Sequence, residues 1–223
     1  MEITTEKHNK NGNNGNKILE QQKQILCQNW RKNRTITSDC VMQAFLEVKR
    51  EIFIDPSYHE LSYADHPLPI GSGQTISQPT TVMLMLQLLD VLPEQRVLEI
   101  GTGSGYNAAL LAKLSRKVVT IERHVGLAEQ ARDNLHCAGL EEVKVIEGDG
   151  KLGYAKLAPF DRIIITAAAN QVPQNLKDQL ADGGLLVAPI GATLGCEMLK
   201  LEKISQKNFK TSSHGKFSFV PLI

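Results

Sequence analysis

The sequence predicts an α/β fold in which a doubly wound, mostly parallel sheet is covered by helices. Short apolar runs rich in β-branched residues recur at residues 97–100, 118–121 and 163–165, a pattern typical of buried parallel strands. A glycine-rich turn follows the first run, and a helical stretch at 107–114 follows the turn. This order of strand, turn and helix predicts a ligand site at the carboxyl end of the sheet. A small N-terminal helical subdomain and a C-terminal antiparallel hairpin complete the predicted fold.

The composition is that of a globular chain with balanced charge. Its 223 residues are 42% hydrophobic, enough for one domain with a substantial core. The 25 Lys and Arg residues against 24 acidic residues give no electrostatic reason to expect a nucleic-acid or membrane partner. No apolar run reaches the roughly 18 residues of a membrane span, and the N-terminus lacks the apolar core of a signal peptide. We therefore expect a cytoplasmic protein.

Cysteine and histidine are too scattered to indicate a metal site. The four cysteines include no C-x-x-C pair, and the six histidines form no cluster with metal-ligand spacing. We expect free thiols, no metal and no catalytic histidine. The cysteines are Cys27, Cys40, Cys137 and Cys196.

The N-terminal part of the chain contains a polar arm, two predicted helices and a loop. Residues 1–17 are rich in Asn and Lys and have no hydrophobic period, which predicts a disordered arm. One amphipathic helix is expected at 18–31, and a second begins at Ser38 and Asp39. Residues 63–77 hold several prolines and glycines, so an irregular loop is expected there, and such loops commonly carry function.

The turn after the first predicted strand has the spacing G-x-G-x-G, formed by Gly101, Gly103 and Gly105. A dinucleotide fingerprint has the spacing G-x-G-x-x-G and receives a pyrophosphate at a helix N-terminus. The acidic Glu99 inside the motif also argues against a bound polyphosphate. The pattern therefore favours a nucleotide-like cofactor other than a dinucleotide.

Two acidic residues follow later strands at positions suited to a nucleoside. Glu122 ends the strand predicted at 118–121 and lies 21 residues after Gly101, the spacing at which a carboxylate binds ribose hydroxyls. Asp149 lies in a Gly-Asp-Gly turn after the strand at 143–147 and is a candidate acceptor for the adenine amino group. The alternative for Glu122 is an exposed residue without a role, and the alternative for Asp149 is an ordinary tight-turn residue.

The last part of the chain predicts one central strand and two C-terminal strands. Residues 160–169 are apolar almost throughout and end in three alanines, which leave room above the sheet. Further strands are expected at 185–190 and 217–222, with an irregular polar segment at 203–216 between them.

Together these motifs resemble those of a known enzyme family. Glu99 and the three glycines resemble motif I of the class I methyltransferases, which bind S-adenosylmethionine. The segment from Gly73 through Gln74, Thr75, Ile76, Ser77 and Gln78 to Pro79 is similar to the sequence before motif I in the protein-L-isoaspartate (D-aspartate) O-methyltransferases. The resemblance covers roughly residues 24–223. Further supporting segments are 50–54, 148–150, 158–161, 165–168, 183–191 and 219–222.

This resemblance implies a fold, a reaction and a substrate. The fold is the class I methyltransferase sheet, with an exchange of sheet order specific to this family, and the cofactor is S-adenosyl-L-methionine, which leaves as S-adenosyl-L-homocysteine. The methyl group goes to the free carboxylate of L-isoaspartyl, and possibly D-aspartyl, residues in damaged proteins and peptides. We expect a monomer whose single domain, 18–223, comprises N-terminal helices and a substrate loop (18–79) and a cofactor-binding core (80–223).

The resemblance also assigns roles to individual residues. Ser77 is the implied catalytic residue, as a hydrogen-bond donor to the reacting carboxylate and not as a nucleophile. The implied substrate-binding residues are Gln74, Thr75, Ile76 and Glu197. The implied cofactor-binding residues are Glu99, Gly101, Thr102, Gly103, Gly105, Glu122, Arg123, Asp149 and Gly150.

Alternatives remain open for single residues and for the whole chain. Thr75 and Ser77 would be good caps for the helix expected at 80–89. Glu197 stands where the family commonly has Gln, so it would repel the substrate carboxylate if it faced the substrate, and would have no effect if it faced solvent. The rival functions are a class I methyltransferase acting on RNA or a small metabolite, and a non-catalytic module that binds damaged proteins.

Overall fold

The computed structural model describes residues 8–223, which form helices around a seven-stranded sheet. The helices are α1 (His8–Lys32), α2 (Asp39–Glu47), α3 (Pro79–Leu89), α4 (Tyr106–Leu114), α5 (Val125–Cys137) and α6 (Gln174–Gln179). The strands are β1 (Leu68–Gly71), β2 (Gln74–Ile76), β3 (Arg96–Ile100), β4 (Lys117–Glu122), β5 (Lys144–Glu147), β6 (Phe160–Ile165), β7 (Leu180–Ile190), β8 (Leu194–Ser205) and β9 (Asn208–Ser218). Short 3-10 helices occupy Arg50–Phe53, Pro56–Leu61, Gly150–Leu152 and Ala155–Leu157.

The large sheet has the strand order β5-β4-β3-β6-β7-β8-β9. The strands from β5 to β7 pair in parallel, and β8 and β9 continue the sheet in antiparallel fashion. Strand β3 has β4 on one side and β6 on the other, so the winding of the chain reverses there. Ligands of open α/β sheets bind at this reversal, outside the carboxyl ends of the strands. The predicted doubly wound, mostly parallel fold is confirmed.

Successive side chains of the central strands supply two different cores. Val97 belongs to the core that also contains the buried residues of α1 to α4. Leu98 and Ile100 belong to a second core on the opposite face, which contains Leu176 of α6. This division follows from the period of two in a strand, and it explains why β3 has buried apolar residues on both faces. Both faces of the sheet are therefore covered.

Helix α2 begins where the sequence places a cap. The side chain of Ser38 accepts a hydrogen bond from the backbone nitrogen of Val41, and Val41, Ala44 and Phe45 are buried. These residues share one core with the buried residues of α3 and α4. The predicted helix α2 therefore packs on α3 and α4, which in turn contact the sheet.

Helix α1 starts earlier than the sequence predicts. The helix expected at 18–31 is present, but α1 begins at His8, so residues 8–17 are helical where a disordered arm is predicted. Asn and Gly are poor helix formers, and the extension continues a helix whose later residues, such as Trp30, are anchored in the core. Residues 1–7 of the predicted arm lie outside the described residues.

The loop predicted at 63–77 contains a small antiparallel ribbon, which corrects the expectation of no regular structure. Strands β1 and β2 pair with each other in a two-stranded sheet. The connecting turn has positive φ values at Gly71, Ser72 and Gly73, conformations that two glycines make accessible. Proline is compatible with an edge strand, so Pro69 does not prevent the pairing. The ribbon leads directly to Ser77.

The C-terminal hairpin is also present, with different boundaries from those predicted. The segment 203–216, expected to be irregular, lies largely within β8 and β9, and the final strand ends at Ser218 instead of covering 217–222. The last strand β9 lies at the sheet edge, outside β8. The polar pattern of β9 misled the prediction because an edge strand is exposed along most of its length.

Within residues 8–223, no helix combines the length and apolarity needed to cross a membrane. The four cysteines are free thiols, as predicted, with Cys27 and Cys196 buried and Cys40 and Cys137 exposed.

Candidate active site

The glycine-rich turn after β3 adopts a conformation that only glycine tolerates well. Gly101, Gly103 and Gly105 have φ values of +95°, +55° and +90°, in the region that L side chains rarely adopt. A Cβ atom on Gly101 would lie 2.6 Å from Oγ1 of Thr166. The turn therefore brings bare backbone to the carboxyl end of β3, and α4 begins directly after it at Tyr106.

Glu99 supports this turn from below. Its carboxylate accepts hydrogen bonds from Asn107 Nδ2 at 2.7 Å and Thr120 Oγ1 at 2.6 Å. The Thr120 hydroxyl also lies 2.6 Å from the hydroxyl of Thr102, within the turn. Glu99 is completely buried, and this burial raises its pKa to about 7. The structure places Glu99 beneath the site and outside the linings of the cavities described below. It supports the turn, and the implied contact with cofactor stays a prediction.

Glu122 ends β4 beside the same turn, with its carboxylate fixed by backbone N–H groups. Oε2 accepts from Gly103 at 2.9 Å, and Oε1 accepts from Arg123 and His124, each at 2.9 Å. A carboxylate offers about four acceptor positions, so three are used and one remains on Oε2. The alternative of an exposed Glu122 is wrong because the residue is only 6% exposed.

Two narrow cavities, each of about 50 Å³, meet at Gly101. The first, which we call the glycine-loop cavity, is lined by Thr75, Ile76, Ser77, Val82, Met85, Gly101, Thr102, Gly103, Ser104, Tyr106, Asn107 and Thr166. The second, the strand-tip cavity, is lined by Gln74, Ile100, Gly101, Ile121, Glu122, Arg123, His124, Gly150, Ala167, Pro221, Leu222 and Ile223.

A wider groove of about 1090 Å³ opens on the other side of the β2–α3 connection. Its lining comes from the start of α3, from the turn between β7 and β8, and from the end of β9 with the residues after it. The lining residues are Pro67, Thr75, Ser77, Gln78, Thr80, Thr81, Leu84, Thr193, Leu194, Gly195, Lys216, Phe217, Ser218, Phe219, Val220 and Pro221. Thr75 and Ser77 thus line both this groove and the glycine-loop cavity.

Ser77 is half-buried at this junction, and its main chain is held from the protein interior. Its carbonyl oxygen accepts a hydrogen bond of 2.9 Å from Nη2 of Arg50. Helix α3 has Gln78 as its N-cap residue and begins at Pro79. The capping alternative for Thr75 and Ser77 is therefore wrong, and in the described part of the chain the Ser77 hydroxyl has no hydrogen-bond partner.

The remaining implied site residues are distributed between the two narrow cavities. Gln74, Arg123 and Gly150 line the strand-tip cavity, and Ile76 and Thr102 line the glycine-loop cavity. Gly150 admits no side chain, since a Cβ there would lie 2.4 Å from Cγ2 of Ile100.

Asp149 has the turn role that the sequence offered as one of two possibilities. It precedes the 3-10 helix Gly150–Leu152, and its Oδ1 accepts a hydrogen bond of 2.9 Å from the nitrogen of Lys151. Its neighbour Gly150 lines the strand-tip cavity. The adenine contact stays a prediction.

Glu197 does not reach the groove, which corrects its implied place in substrate binding. It lies on β8 between Cys196 and Met198, whose buried side chains belong to the same core as α3. Alternation along a strand points Glu197 away from them, and it is exposed and absent from the groove lining. Its charge therefore has no direct access to a ligand at Ser77.

Several site residues lie outside the set that the motifs imply. Thr166 lines the glycine-loop cavity, and its hydroxyl donates to the carbonyl of Gly101 at 2.7 Å. Tyr106 and Asn107 line the same cavity from the first turn of α4. The sequence could have indicated Tyr106 and Asn107 by their position after the glycine turn, and Thr166 by its position at the end of a central strand. Arg50 belongs to the segment 50–54 that supports the resemblance, but nothing in that segment indicates a contact with Ser77, which lies 27 residues further along the chain.

The strand order, the glycine turn at the switch point and the carboxylate that ends β4 define a class I methyltransferase of the type that uses S-adenosylmethionine. Comparison with family models gives a match to protein-L-isoaspartate(D-aspartate) O-methyltransferase over residues 20–223. The chain belongs to this family.

Known proteins of this family are similar to the chain over most of its length. The protein-L-isoaspartate O-methyltransferase of Methanoregula boonei is 52% identical over 190 residues, covering 85% of this chain and 87% of that protein. The enzyme of the same name from Pyrococcus horikoshii is 44% identical over 190 residues, covering 84% and 86%.

Solved structures agree with these sequence comparisons. A Plasmodium falciparum chain assigned as a protein-L-isoaspartate O-methyltransferase, solved with S-adenosyl-L-homocysteine, superposes with a TM-score of 0.79 at 27% identity. The match covers 88% of this chain and 95% of that one. A second protein-L-isoaspartate O-methyltransferase structure gives a TM-score of 0.80 at 29% identity, covering 91% of this chain and 65% of that one.

Proposed function

We propose that this chain is a protein-repair methyltransferase. It transfers a methyl group to the free carboxylate of isoaspartyl residues, which bind beside Ser77. The observation that carries the proposal is the position of Thr75 and Ser77 in the linings of both the glycine-loop cavity and the wide groove. A methyl donor in the first space and a polypeptide in the second would meet at these two residues. Membership of the isoaspartate methyltransferase family supports this reaction.

The residues around the glycine turn fit S-adenosylmethionine better than a phosphate-bearing cofactor. The backbone of Gly101 and Gly103 is free of side chains, and Glu122 keeps one acceptor position for a ribose hydroxyl. The first turn of α4 has no side-chain cap, so its N–H groups are available to the carboxylate end of a methionine. When bound, S-adenosylmethionine supplies a methyl group on a positively charged sulfur.

Ser77 and the groove have the complementary task of holding the substrate. The isoaspartyl carboxylate is ionised near neutral pH, so it needs no general base to become a nucleophile. The free Ser77 hydroxyl would donate one hydrogen bond to the carboxylate oxygen that does not react, which leaves the other oxygen nucleophilic. The protein contributes alignment and exclusion of water. Gln74, Thr75 and Ile76 place this segment against both ligands.

Methylation converts the ionised carboxylate into a neutral ester, whose carbonyl carbon the neighbouring backbone nitrogen can attack with loss of methanol. The succinimide can then re-form, which begins the repair of the isoaspartyl linkage. The proposed partners are therefore isoaspartyl-containing proteins and peptides, and we extend the proposal to D-aspartyl residues. The near balance of 25 basic and 24 acidic residues supports a protein that binds neither nucleic acid nor membrane, and we extend the proposal to a cytoplasmic monomer.

Transfer of labelled methyl from S-adenosylmethionine to an isoaspartyl peptide tests this function, with the ordinary aspartyl peptide as the substrate control. We expect label on the isoaspartyl peptide alone, released as methanol in base. Ser77→Ala should lower kcat/KM about tenfold to a hundredfold, because a hydrogen bond to a charged group contributes roughly 1.5–3 kcal/mol.

Ser72→Ala is the matched control, since Ser72 belongs to the same ribbon but lines none of the three spaces. It should retain full activity. Methylation of an RNA or a small metabolite in place of the peptide, or cofactor binding without any transfer, would contradict the proposed function. Equal effects of Ser77→Ala and Ser72→Ala would remove Ser77 from the mechanism.

A further inference from the structure

Arg50 is a cation buried without a counter-charge next to the active site. Its exposure is 0%, and within residues 8–223 it forms no ion pair with a carboxylate. Its Nε and Nη1 atoms have no partner with good hydrogen-bond geometry, and the nearby Tyr106 hydroxyl offsets only part of the cost of burying the charge. Burying an unpaired charge costs several kcal/mol, and this cost lowers the pKa of Arg50. Because burying this charge is so costly, we expect Arg50 to have a role other than packing.

The contacts of Arg50 connect the two halves of the active site. Nη2 donates to the Ser77 carbonyl at 2.9 Å, and the guanidinium carbon lies 4.8 Å from the ring centroid of Tyr106. Ser77 carries the proposed substrate contact, and Tyr106 is the first residue of α4 after the glycine turn. Both residues line the glycine-loop cavity.

The backbone of Arg50 is held in place by its own segment. The backbone nitrogen of Arg50 donates to the hydroxyl of Tyr63 at 3.2 Å, and that hydroxyl donates to Glu51 at 2.7 Å. The 3-10 helix Arg50–Phe53 also buries Phe53, whose ring centroid lies 5.7 Å from that of Tyr106. The backbone of Arg50 is therefore fixed, and complete burial keeps its guanidinium at the Ser77 carbonyl.

We infer that Arg50 is a positioning residue that fixes Ser77 for the isoaspartyl carboxylate and supplies positive potential behind it. This inference rests on the proposed role of Ser77. The hydrogen bond to the Ser77 carbonyl sets the direction of the backbone that carries the hydroxyl. The guanidinium charge favours an anion at Ser77 in surroundings of low dielectric, where charges interact more strongly than in water.

The charge changes of the reaction predict which kinetic constant depends on Arg50. The substrate carboxylate is an anion before methyl transfer and a neutral ester afterwards, so Arg50 interacts more favourably with bound substrate than with product. The methyl donor carries a positive sulfur, which a cation repels, and a carboxylate, which a cation attracts, so its net interaction with Arg50 is small. Loss of Arg50 should therefore raise KM for the isoaspartyl peptide and leave KM for S-adenosylmethionine nearly unchanged.

The test measures both KM values and the melting temperature for Arg50→Met and Arg50→Lys. We expect Arg50→Met to raise KM for the peptide about tenfold or more, since it removes a charge-assisted hydrogen bond. Arg50→Lys keeps the charge and should raise KM for the peptide by a smaller factor. It also provides the test if Arg50→Met does not fold.

Arg162→Met is the matched control, because Arg162 is a buried guanidinium that donates to the carbonyls of Asp90 and Asp161. It should lower the melting temperature without moving either KM.

A double-mutant comparison separates this inference from the function on which it rests. If Arg50 acts through Ser77, Arg50→Lys should raise KM for the peptide much less in a Ser77→Ala background than in the natural chain. A lower melting temperature with both KM values unchanged, equal increases in both, or fully additive effects would overturn the role of Arg50. An unchanged KM and kcat in Ser77→Ala alone would instead overturn the proposed role of Ser77.

Discussion

Glu99 and Glu122 have the same side chain and lie on neighbouring strands, but they have different structural roles. Glu99 is completely buried and receives two side-chain hydrogen bonds beneath the glycine turn. Glu122 lies at the strand tip and receives three backbone N–H groups. The three backbone donors keep Glu122 fixed at a cavity, whereas burial makes the charged form of Glu99 costly.

The raised pKa of Glu99, at about 7, makes the stability of the protein depend on pH. The folded chain holds this proton more tightly than the unfolded chain, where the pKa is about 4.5. Its contribution is therefore complete below pH 4.5 and lost as the pH rises to about 7. We expect the free energy of unfolding to fall over this range by up to about 1.4 kcal/mol per pH unit. Glu99→Gln should remove this part of the slope.

Urea denaturation at several pH values between about 5 and 8 would measure the slope. Glu147→Gln is the control, because Glu147 is exposed and is the register partner of Glu122 on β5. It should keep the slope of the natural chain. The prediction is wrong if Glu99→Gln and Glu147→Gln give the same slope.

At the scale of elements, the start of α3 determines where Ser77 lies. Thr80, in the first turn of α3, donates its backbone nitrogen to Asp65 at 2.9 Å and its hydroxyl to the same carboxylate at 2.7 Å. Trp30 of α1 donates to the Thr80 hydroxyl at 2.7 Å. Asp65 thus supplies the cap that Gln78, the N-cap residue, does not supply through its own side chain.

Asp65→Ala should destabilise the protein by about 1 kcal/mol, the usual cost of losing a helix cap. The melting temperature should fall by roughly 2–4 °C for a chain of this size. Because Ser77 directly precedes the N-cap, kcat/KM for the isoaspartyl peptide should fall as well. Thermal melting and the methyl-transfer assay measure the two effects.

Asp55→Ala provides the comparison for Asp65→Ala. Asp55 caps the 3-10 helix Pro56–Leu61 by accepting from the nitrogen of Ser57 at 2.9 Å, and it contacts neither cavity. We expect a loss of stability with unchanged kcat/KM. Unchanged kcat/KM in Asp65→Ala as well would show that the start of α3 does not influence Ser77.

At the scale of the whole molecule, the edges of the sheet favour a monomer. The outer strand β9 is polar and exposed along most of its length, and it carries lysines at both ends. Charged and polar edges resist pairing with a second sheet. We expect light scattering to give a mass of 24.6 kDa at two well separated protein concentrations. A mass of twice that value at either concentration would contradict the prediction.

The sequence by itself determined the cofactor half of the protein, because that half depends on local patterns. The strand at β3, the G-x-G-x-G turn and helix α4 are contiguous, and each has a short-range physical cause in burial, backbone freedom or helix periodicity. Glu122 follows from a fixed spacing within one strand-helix-strand unit. The position of Ser77 beside this unit was implied by the resemblance of its segment to a known family, not by periodicity or spacing.

The tertiary structure alone decided how distant segments meet. It placed Arg50 behind Ser77 and Thr166 against Gly101, contacts that join residues far apart in the chain. It also placed Glu197 outside the groove. Which side of β8 faces the core depends on the strands that pair with it and on its β-bulges. It also made β9 an outer strand, because a polar segment becomes a strand when a neighbour supplies its hydrogen bonds. Local patterns carry no information about such partners, so these features could only be read from the folded chain.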